Sequence, residues 1–192
     1  MAVHSPRPGG TEYRRMVSGQ PYRPDDAELV ALRLRARSLA FRFNHTIPEA
    51  AGVRRALLVE LLGSVGLEAE IEPTIHVDYG CNIHLGERFY ANANCVLLDA
   101  AEIRIGSDAM LGPAVQLLTA THQTDPVERT SGTELGYPIT LGDRVWLGGG
   151  AIVGPGVTIG SGTVVGSGAV VVQDLPAGVV AVGNPARIIR EV

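Results

Sequence analysis

The chain has 192 residues, 45% of them apolar, and a formal net charge of −4. This length favours one main domain with a small appendage, and the absence of a basic stripe argues against a nucleic-acid partner. No apolar run reaches the length of a membrane span, and the N-terminus lacks a signal-peptide core, so we expect a cytoplasmic protein. Cys81 and Cys95 fit a reducing compartment and form neither a disulfide framework nor a zinc pattern.

The N-terminal third is predicted to be helical. Residues 1–10 contain proline and glycine and are expected to form a flexible tail. Apolar residues spaced three and four positions apart indicate a first helix, with Asp25 as its N-cap. Its apolar residues are Leu29, Leu32, Ala36, Leu39 and Phe43. A second helix is expected to start after "NHTIPEA", with Thr46 or a nearby residue as its cap and Pro48 early in its first turn. Its apolar face is expected to carry Val53, Leu57, Leu58, Leu61 and Leu62. These patterns predict a helical region over residues 11–65.

A six-residue repeat dominates the remainder of the chain. Aliphatic residues stand six apart at Leu141, Leu147, Val153, Ile159, Val165 and Val171. A glycine follows each of the first five, and a small or β-branched residue comes four positions after each of them. The same frame holds upstream at Ile105, Leu111 and Leu117, and less regularly at Tyr79, Leu85, Ala91 and Leu97. Two extra residues separate these upstream frames near Ala101.

A period of six fits neither a helix nor an alternating strand and is typical of a β-helix. A short strand and a turn form one flat side, three sides close an 18-residue coil, and the aliphatic residues stack inside. We expect each following glycine to adopt a backbone conformation that a side chain would forbid. A β-sandwich with glycine turns is the alternative, but a sandwich needs no constant interval. We therefore predict a β-helix domain over residues 66–192, with a protruding loop at about 118–138 and a short C-terminal segment.

His122 lies in the polar loop that interrupts the six-residue repeat. Long loops in compact repeats are disproportionately functional, and a histidine can act as a general base near neutral pH. The other histidines suit ordinary roles. His4 is expected to be solvated, His45 to form a structural hydrogen bond between the helices, and His76 and His84 to lie on the side walls.

Longer segments resemble one family of enzymes. They are "YRPDDAELVALRLRARSLAFRFN", "EPTIHVDYGCNIHLGERFYANANCVLLD", "IRIGSDAMLGPAVQLLTATHQTDPVERTSGTELGYPITLGDRVWLGGGAIVGPGVTIG" and "GNPARIIR". They are similar to the maltose and galactoside group of sugar O-acetyltransferases, which belong to the hexapeptide-repeat acyltransferases. The resemblance implies a mainly β protein, with a left-handed parallel β-helix and a small α-helical N-terminal region. It also implies a homotrimer with active sites between subunits, which uses acetyl-CoA and no metal.

The same resemblance assigns the catalytic pair. His122 matches the family's catalytic base, and Glu134 matches the glutamate that steadies this base in the maltose-type enzymes. A solvated loop position is the alternative for Glu134. Asp125 is a nearby competitor, although its place before Pro126 is typical of a turn.

For the acceptor, the resemblance points to Asp78, Tyr90 and Asn92. A turn is the alternative for Asn92, since asparagine favours turns. Asp99 is a weaker candidate, because Ala100 stands where the galactoside enzymes carry an acceptor-facing aspartate. Asp26 is a further candidate that would reach the acceptor from the N-terminal region.

For acetyl-CoA, the resemblance implies two groups of residues. Gly112, Trp146 and Gly149 would line the groove, with the Gly149 N–H facing the thioester oxygen, and Arg187 and Arg190 would meet the phosphates. A trimer contact is the alternative for Trp146, and plain solvation is the alternative for the arginines. Gln173 replaces a lysine that is frequent in the family.

These observations predict an acetyl-CoA-dependent O-acetyltransferase that acts on a sugar hydroxyl by direct attack. Three alternatives stay open. The first is an acetyltransferase of this fold for another hydroxyl or an amine, such as an antibiotic. The second is a metal lyase that would need three histidines at one subunit boundary. The third is a non-catalytic β-helical scaffold, which would have no need of the His122 loop.

Overall fold

The structure is a computed structural model that describes residues 8–192. Its helices are α1 (Thr11–Val17), α2 (Ala27–Asn44), α3 (Ala51–Leu61) and α4 (Pro126–Arg129). His4 and most of the predicted tail lie outside the described residues. Within the described part of the chain, none of the helices is long and apolar enough to cross a membrane.

The helix boundaries correct several expectations. Asp26, and not Asp25, caps α2, and its side chain accepts hydrogen bonds from the backbone of Glu28 and Leu29. Asp25 forms an ion pair with Arg23 instead. The expected start of the next helix after "NHTIPEA" is confirmed, because α3 begins at Ala51. The expected cap near Thr46 and the place of Pro48 in the first turn are wrong, because the N-cap position is Ala50, which forms no side-chain cap hydrogen bond.

The packing of α2 and α3 agrees with most of the predicted apolar faces. All five predicted positions of α2 are buried except Leu32, which is partly exposed. In α3 the expectation fails at Val53, whose relative exposure is 55%. The remaining apolar positions of α3 pack with α2 against the first coil of the β-domain.

Nineteen short strands follow in the described chain. The first ten are β1 (Ser64–Val65), β2 (Glu70–Ile71), β3 (Ile75–Val77), β4 (Ile83–Leu85), β5 (Tyr90–Ala91), β6 (Cys95–Leu98), β7 (Ile103–Ile105), β8 (Met110–Leu111), β9 (Gln116–Leu118) and β10 (Ala120–Thr121). The others are β11 (Leu135–Gly136), β12 (Ile139–Leu141), β13 (Trp146–Leu147), β14 (Ile152–Val153), β15 (Thr158–Ile159), β16 (Val164–Val165), β17 (Val170–Val171), β18 (Val179–Val182) and β19 (Arg187–Glu191).

The strands form a three-sided prism of stacked parallel strands. Face 1 has the order β1-β4-β7-β12-β15, and face 3 has the order β17-β14-β9-β6-β3. Face 2 has the order β18-β16-β13-β8-β5-β2, and β19 adds to β18 as an antiparallel edge strand. The chain runs from face 1 to face 2 to face 3 in each coil, so three edges join them: the 1–2, 2–3 and 3–1 edges.

The register places the repeat residues in inward stacks. On face 2, for example, Ile71, Ala91, Leu111 and Leu147 pair in successive coils. One predicted position is wrong: Val77, and not Tyr79, pairs with Leu97 in the inward stack of face 3. Tyr79 is buried in a second apolar cluster beneath the N-terminal segment. The two extra residues found near Ala101 therefore occur in the first coil as well.

The repeat glycines have a different role from the one expected. Gly142 and Gly148 do not have positive φ angles; these occur two residues later, at Arg144 and Gly150. A Cβ atom on Gly142 would lie 2.6 Å from the Ser161 nitrogen, which is closer than side chains approach. These glycines therefore allow neighbouring coils to pack closely.

Candidate active site

The 3–1 edge carries the interruption that contains His122. We call residues 118–138 the arm. In the arm, β10 and β11 pair in antiparallel fashion, and Asp125 caps α4 by accepting hydrogen bonds from Val127 and Glu128. Asp125 is thus the N-cap of α4, whereas its place before Pro126 had indicated a turn. The His122 side chain is exposed and forms no hydrogen bond within the described part of the chain.

Glu134 is tied to the N-terminal segment. Its Oε2 accepts a hydrogen bond of 2.7 Å from the Tyr22 hydroxyl, and the backbones of these two residues exchange two further hydrogen bonds. Burial raises the pKa of Tyr22 above its usual range, and the bond to Glu134 raises it further. A neutral phenol therefore holds one carboxylate oxygen of Glu134, which is not simply a solvated loop residue.

The register of the arm relates Glu134 to His122. Ala120 pairs with Gly136 and Thr121 pairs with Leu135. If this antiparallel register continues by one step, His122 lies directly across from Glu134, on the same side of the ladder. No hydrogen bond between the two side chains is present among the described residues, so their pairing remains a prediction.

Asp78 is the acidic side chain of the first coil at the 3–1 edge. Burial raises the pKa of its carboxyl, Arg33 and Arg37 of α2 oppose this change, and Glu134 reinforces it. Its carboxylate forms no hydrogen bond within residues 8–192, so both oxygens are open to a ligand. Asp78, Glu134 and the two arginines form a mixed-charge group between α2 and the arm.

Asp99 lies beneath this group, in the second coil. Its side chain is 0% exposed, so it cannot contact an acceptor directly, and the weaker candidate drops out of the binding set. Burial raises the pKa of Asp99 to about 6, although backbone hydrogen bonds act in the opposite direction. Ala100 is also buried and packs with Met16 and Tyr22.

Tyr90 and Asn92 lie elsewhere on the prism. Tyr90 belongs to the outward row of face 2, and Asn92 begins the turn at the 2–3 edge. The Asn92 Oδ1 accepts a hydrogen bond from the Ala93 N–H, which agrees with the turn alternative. Its amide nitrogen forms no hydrogen bond in the described structure, so it can still donate one.

The predicted groove residues share face 2 and the 2–3 edge. Trp146 is 48% exposed and stands in one outward row with Tyr90 and Met110. Beside it, the backbone of Gly149 touches that of Gly112; a Cβ on Gly112 would lie 2.5 Å from the Gly149 nitrogen.

Gly149 also has an available donor. The N–H groups of its neighbours Gly148 and Gly150 donate to Val165 and Pro113. Within the described chain the Gly149 N–H has no hydrogen-bond acceptor. The exposed Trp146 ring and the unpaired Gly149 N–H suit a thioester group, because the ring offers a flat apolar surface and the N–H can donate to the thioester oxygen.

The C-terminal arginines lie on the exposed strand β19. Arg187 donates to the Ala186 carbonyl and Arg190 donates to the Glu191 carbonyl, and neither forms an ion pair within the described residues. Arg187 lines a shallow groove of about 200 Å³ together with Gln173 and Asp174. The groove therefore holds one cationic and one anionic side chain, and Gln173 supplies no charge.

The structure thus separates the predicted site residues into two sets. His122, Glu134 and Asp78 lie at the 3–1 edge. The acceptor candidates on the other side, Tyr90 and Asn92, lie with the groove residues on face 2 and at the 2–3 edge. Face 3 stands between the two sets, so one protomer does not bring them together.

The other histidines have structural positions. The His45 Nδ1 contacts the Phe41 carbonyl at 2.8 Å, and His84 lies 3.0 Å from the Ser64 hydroxyl and 3.3 Å from Glu102. His76 faces outward on face 3, whereas His84 is on face 1. Among residues 8–192, no group of three or more His, Cys, Asp or Glu side chains is placed to hold a metal ion.

Sequence reasoning missed the contribution of the N-terminal segment. Tyr22 binds Glu134, and Arg33 donates 2.7 Å to the hydroxyl of Tyr79 beside Asp78. The partners are far apart in the chain, so their spacing carried no signal.

Comparisons with known proteins relate the chain to one group of enzymes. A family model described as the maltose acetyltransferase hexapeptide capping motif matches residues 15–66, and a model of six bacterial transferase hexapeptide repeats matches residues 138–173. Nodulation protein L of Rhizobium leguminosarum is 46% identical over 93% of this chain and 94% of its own length.

Two solved structures are similar over nearly the whole chain. A maltose O-acetyltransferase from Clostridium difficile has a TM-score of 0.94 and 45% identity, covering 96% of this chain and 99% of that one. A galactoside acetyltransferase in complex with coenzyme A has a TM-score of 0.91 and 37% identity, covering 95% and 92%. The expected left-handed parallel β-helix of hexapeptide repeats is confirmed.

Proposed function

The chain belongs to the maltose and galactoside O-acetyltransferase family of hexapeptide-repeat acyltransferases, and from this premise we propose that it transfers an acetyl group from acetyl-CoA to a sugar hydroxyl. The observation that carries the proposal is the presence of two open groups of residues on each protomer, which we call half-sites. One presents a histidine and carboxylates at the 3–1 edge, and the other presents an aromatic wall and a free N–H at the 2–3 edge.

His122 is the general base in this mechanism. Its neutral imidazole accepts the proton of the sugar hydroxyl while that oxygen attacks the thioester carbonyl carbon. The C–S bond then breaks, and the imidazolium returns the proton to the departing thiolate. A sugar hydroxyl is weakly acidic, so a positioned base contributes about 100-fold or more. Glu134 steadies the imidazolium from across the arm.

The remaining residues hold the reactants. Asp78 accepts hydrogen bonds from the sugar, and Asn92 and Tyr90 contact it from the opposite edge. The Gly149 N–H donates to the thioester oxygen as its negative charge grows. Trp146 and Gly112 line the groove for acetyl-CoA, and Arg187 and Arg190 lie where its phosphates can be paired. The solved complex of a galactoside acetyltransferase with coenzyme A supports acetyl-CoA as a ligand of this chain.

We further propose a homotrimer that shares its sites. The outward row of face 3 contains three apolar residues that are partly exposed in the protomer, Val96, Ile152 and Val170, beside His76 and Gln116. The outward row of face 1 is polar and includes His84, Arg104, Thr140 and Thr158. If three copies turn face 3 toward a common axis, the 3–1 edge of one copy meets the 2–3 edge of the next. This arrangement would join the two half-sites.

Turnover tests the activity. The protein is mixed with acetyl-CoA and a panel of sugars, and free thiol is measured. We expect sugar-dependent release, fastest with maltose or glucose. Release only with amine acceptors would favour the alternative of an amine acetyltransferase. Absence of release with every hydroxyl acceptor, although coenzyme A binds, would overturn the proposal.

Subunit complementation tests the shared site. His122→Ala alters one half-site and Trp146→Asp places a charge in the other. Co-expression of the two variants should restore activity above that of either alone, because some sites then combine two normal halves. Mixed trimers without any recovery would show that each site lies within one protomer.

A further inference from the structure

The carboxylate of Asp99 is enclosed by a single turn of the preceding coil. Its Oδ1 accepts hydrogen bonds from the N–H groups of Asp78 at 3.1 Å and Tyr79 at 2.8 Å. Its Oδ2 accepts from the Asn82 N–H at 3.2 Å. Asp99 is also the one charged residue with a buried side chain in the part of the chain described here. The backbone of residues 78–82 is therefore organised around this buried anion.

We propose that Asp99 is a positioning residue for acceptor binding, because it fixes the turn that presents the Asp78 carboxylate. This inference rests on the proposed function, in which Asp78 binds the sugar. Asp99 itself touches neither substrate. It acts through the backbone of the turn.

The contacts of Asp78 explain why its backbone matters for its position. Its side chain has no hydrogen-bond partner within residues 8–192, so the carboxylate is placed by the turn that carries it and by the charges of Arg33 and Arg37. The oxygen that binds the Asp78 N–H also binds that of Tyr79. The Tyr79 hydroxyl in turn accepts from Arg33, one of the two arginines near Asp78. The Asp99 carboxylate thus fixes the positions of both the Asp78 carboxylate and the nearby Arg33 guanidinium.

Asp99 is itself rigidly held. The Thr119 hydroxyl donates to the Leu98 carbonyl at 2.6 Å and accepts from the Ala101 N–H at 2.9 Å, so it clamps the segment around Asp99. The Asn82 amide donates to the Asp99 carbonyl at 2.7 Å. Because Asp99 is held from both sides, it can fix the position of the turn formed by residues 78–82.

The hydrogen bonds also explain why a carboxylate is needed. Three N–H donors converge on its two oxygens. An asparagine offers one oxygen, and its NH₂ group would face at least one of these donors. Hydrogen bonds to charged groups contribute more than neutral ones, and an unsatisfied buried donor is costly.

The test is a double-mutant cycle on Asp78→Asn and Asp99→Asn, measured by steady-state kinetics. We expect each single variant to raise the acceptor KM about tenfold while the acetyl-CoA KM stays unchanged, since each loses charge-assisted hydrogen bonds. The double variant should be no worse than the poorer single variant, because Asp99 acts through Asp78. Additive losses, or an acetyl-CoA KM that rises equally, would overturn the proposal.

Asp143→Asn is the matched control. The Asp143 Oδ1 accepts a hydrogen bond of 2.8 Å from the Ser107 N–H at the 1–2 edge, so it also organises a turn with a carboxylate. This turn lies away from both half-sites. We expect unchanged KM values for both substrates; an acceptor KM raised as in Asp99→Asn would overturn the proposal by showing that any such turn affects it.

Tyr13→Phe provides a second variant if Asp99→Asn does not fold. The Tyr13 hydroxyl donates 2.6 Å to the Asn82 Oδ1, so its loss loosens the same turn without placing an amide in the core. A rise of about threefold in the acceptor KM alone would support the proposal, and an unchanged value would overturn it. Wild-type protein without sugar-dependent thiol release would overturn the proposed function as well, whereas an active wild type with a normal Asp99→Asn acceptor KM would overturn this inference alone.

Discussion

The edges of the prism differ in how much their length varies. At the 1–2 edge six residues separate consecutive inward positions in each of the first five coils, from Val65 and Ile71 in the first to Ile159 and Val165 in the fifth. At the 3–1 edge the corresponding step is eight residues from Val77 to Leu85, 24 from Leu117 to Leu141 and six from Val153 to Ile159. The coils can stack only if most of their perimeter has a constant length, so the variation in length is confined to the 3–1 edge. His122, Glu134 and Asp78 lie at this edge.

The chemistry of the two kinds of edge differs in the same way. At the constant edges, Gly86, Gly106 and Gly142 bring the backbones of successive coils so close that no side chain would fit between them. At the variable edge the space between coils is filled by hydrogen-bonded side chains, namely Asp99, Asn82 and Thr119. Close backbone packing leaves no room for inserted residues, whereas a network of side chains can rearrange around an insertion.

The largest expected effect comes from breaking a constant edge. Inserting one glycine after Asp108 at the 1–2 edge shifts β8 by one residue and turns the inward Leu111 outward. We expect an insoluble protein or a melting temperature lower by at least about 10 °C. The same insertion after Ser131 in the exposed arm should change the melting temperature by less than about 2 °C. Similar losses from both insertions would show that the edges are equally constrained.

His122→Ala tests whether the variable edge carries the chemistry. We expect kcat to fall by more than about 100-fold, while oligomeric state and coenzyme A binding are retained, because a positioned base contributes on this scale. His45→Ala is the control, since within residues 8–192 the His45 ring contacts Phe41 of the preceding helix α2. Near-normal turnover by His122→Ala would remove this residue from the mechanism.

The difference between the edges also explains what could be predicted from sequence. The inward stacks were predictable because stacking imposes one residue type at each sixth position, as at Leu141 and Leu147. The role of the glycines was not, because a close approach and a positive φ angle select the same residue. Nor was the burial of Asp99, since an aspartate in a turn usually faces solvent. The Tyr22–Glu134 contact joins residues 112 positions apart, beyond any local pattern.

The buried charge of the variable edge should make stability depend on pH. Burial raises the pKa of Asp99 to about 6 in the folded protein, from 3.8 for an exposed aspartate. Between these values the folded state binds more protons than the unfolded state, so the contribution of Asp99 to stability rises as pH falls from 7 toward 4. We expect the wild type to gain about 2 kcal/mol relative to Asp99→Asn between pH 7 and pH 4.5. Urea unfolding of both proteins measures this difference, and a difference independent of pH would contradict it.

Glu134→Gln separates two roles of one side chain. The glutamine oxygen can still accept the Tyr22 hydrogen bond, but the charge that would steady a protonated His122 is lost. We expect kcat to fall about tenfold with little change in stability. Tyr22→Phe is the complement, because it removes the hydrogen bond and keeps the charge, and we expect it to affect stability more than kcat. The reverse pattern would identify Glu134 as an anchor for the N-terminal segment and not as the partner of His122.

The smallest expected effect concerns Trp146, which lies in the half-site on face 2 and the constant 2–3 edge. Trp146 stands 48% exposed on face 2, where it has no packing role in the core of its own protomer. Trp146→Ala should therefore leave stability nearly unchanged and raise the acetyl-CoA KM about fivefold, which is the scale of losing one aromatic wall at a partly exposed site. Thr140→Ala, on the outward row of face 1 in the same coil, is the control and should change neither value. An unchanged acetyl-CoA KM together with a weakened trimer would assign Trp146 to the subunit contact, and the groove on face 2 would then have to be placed elsewhere.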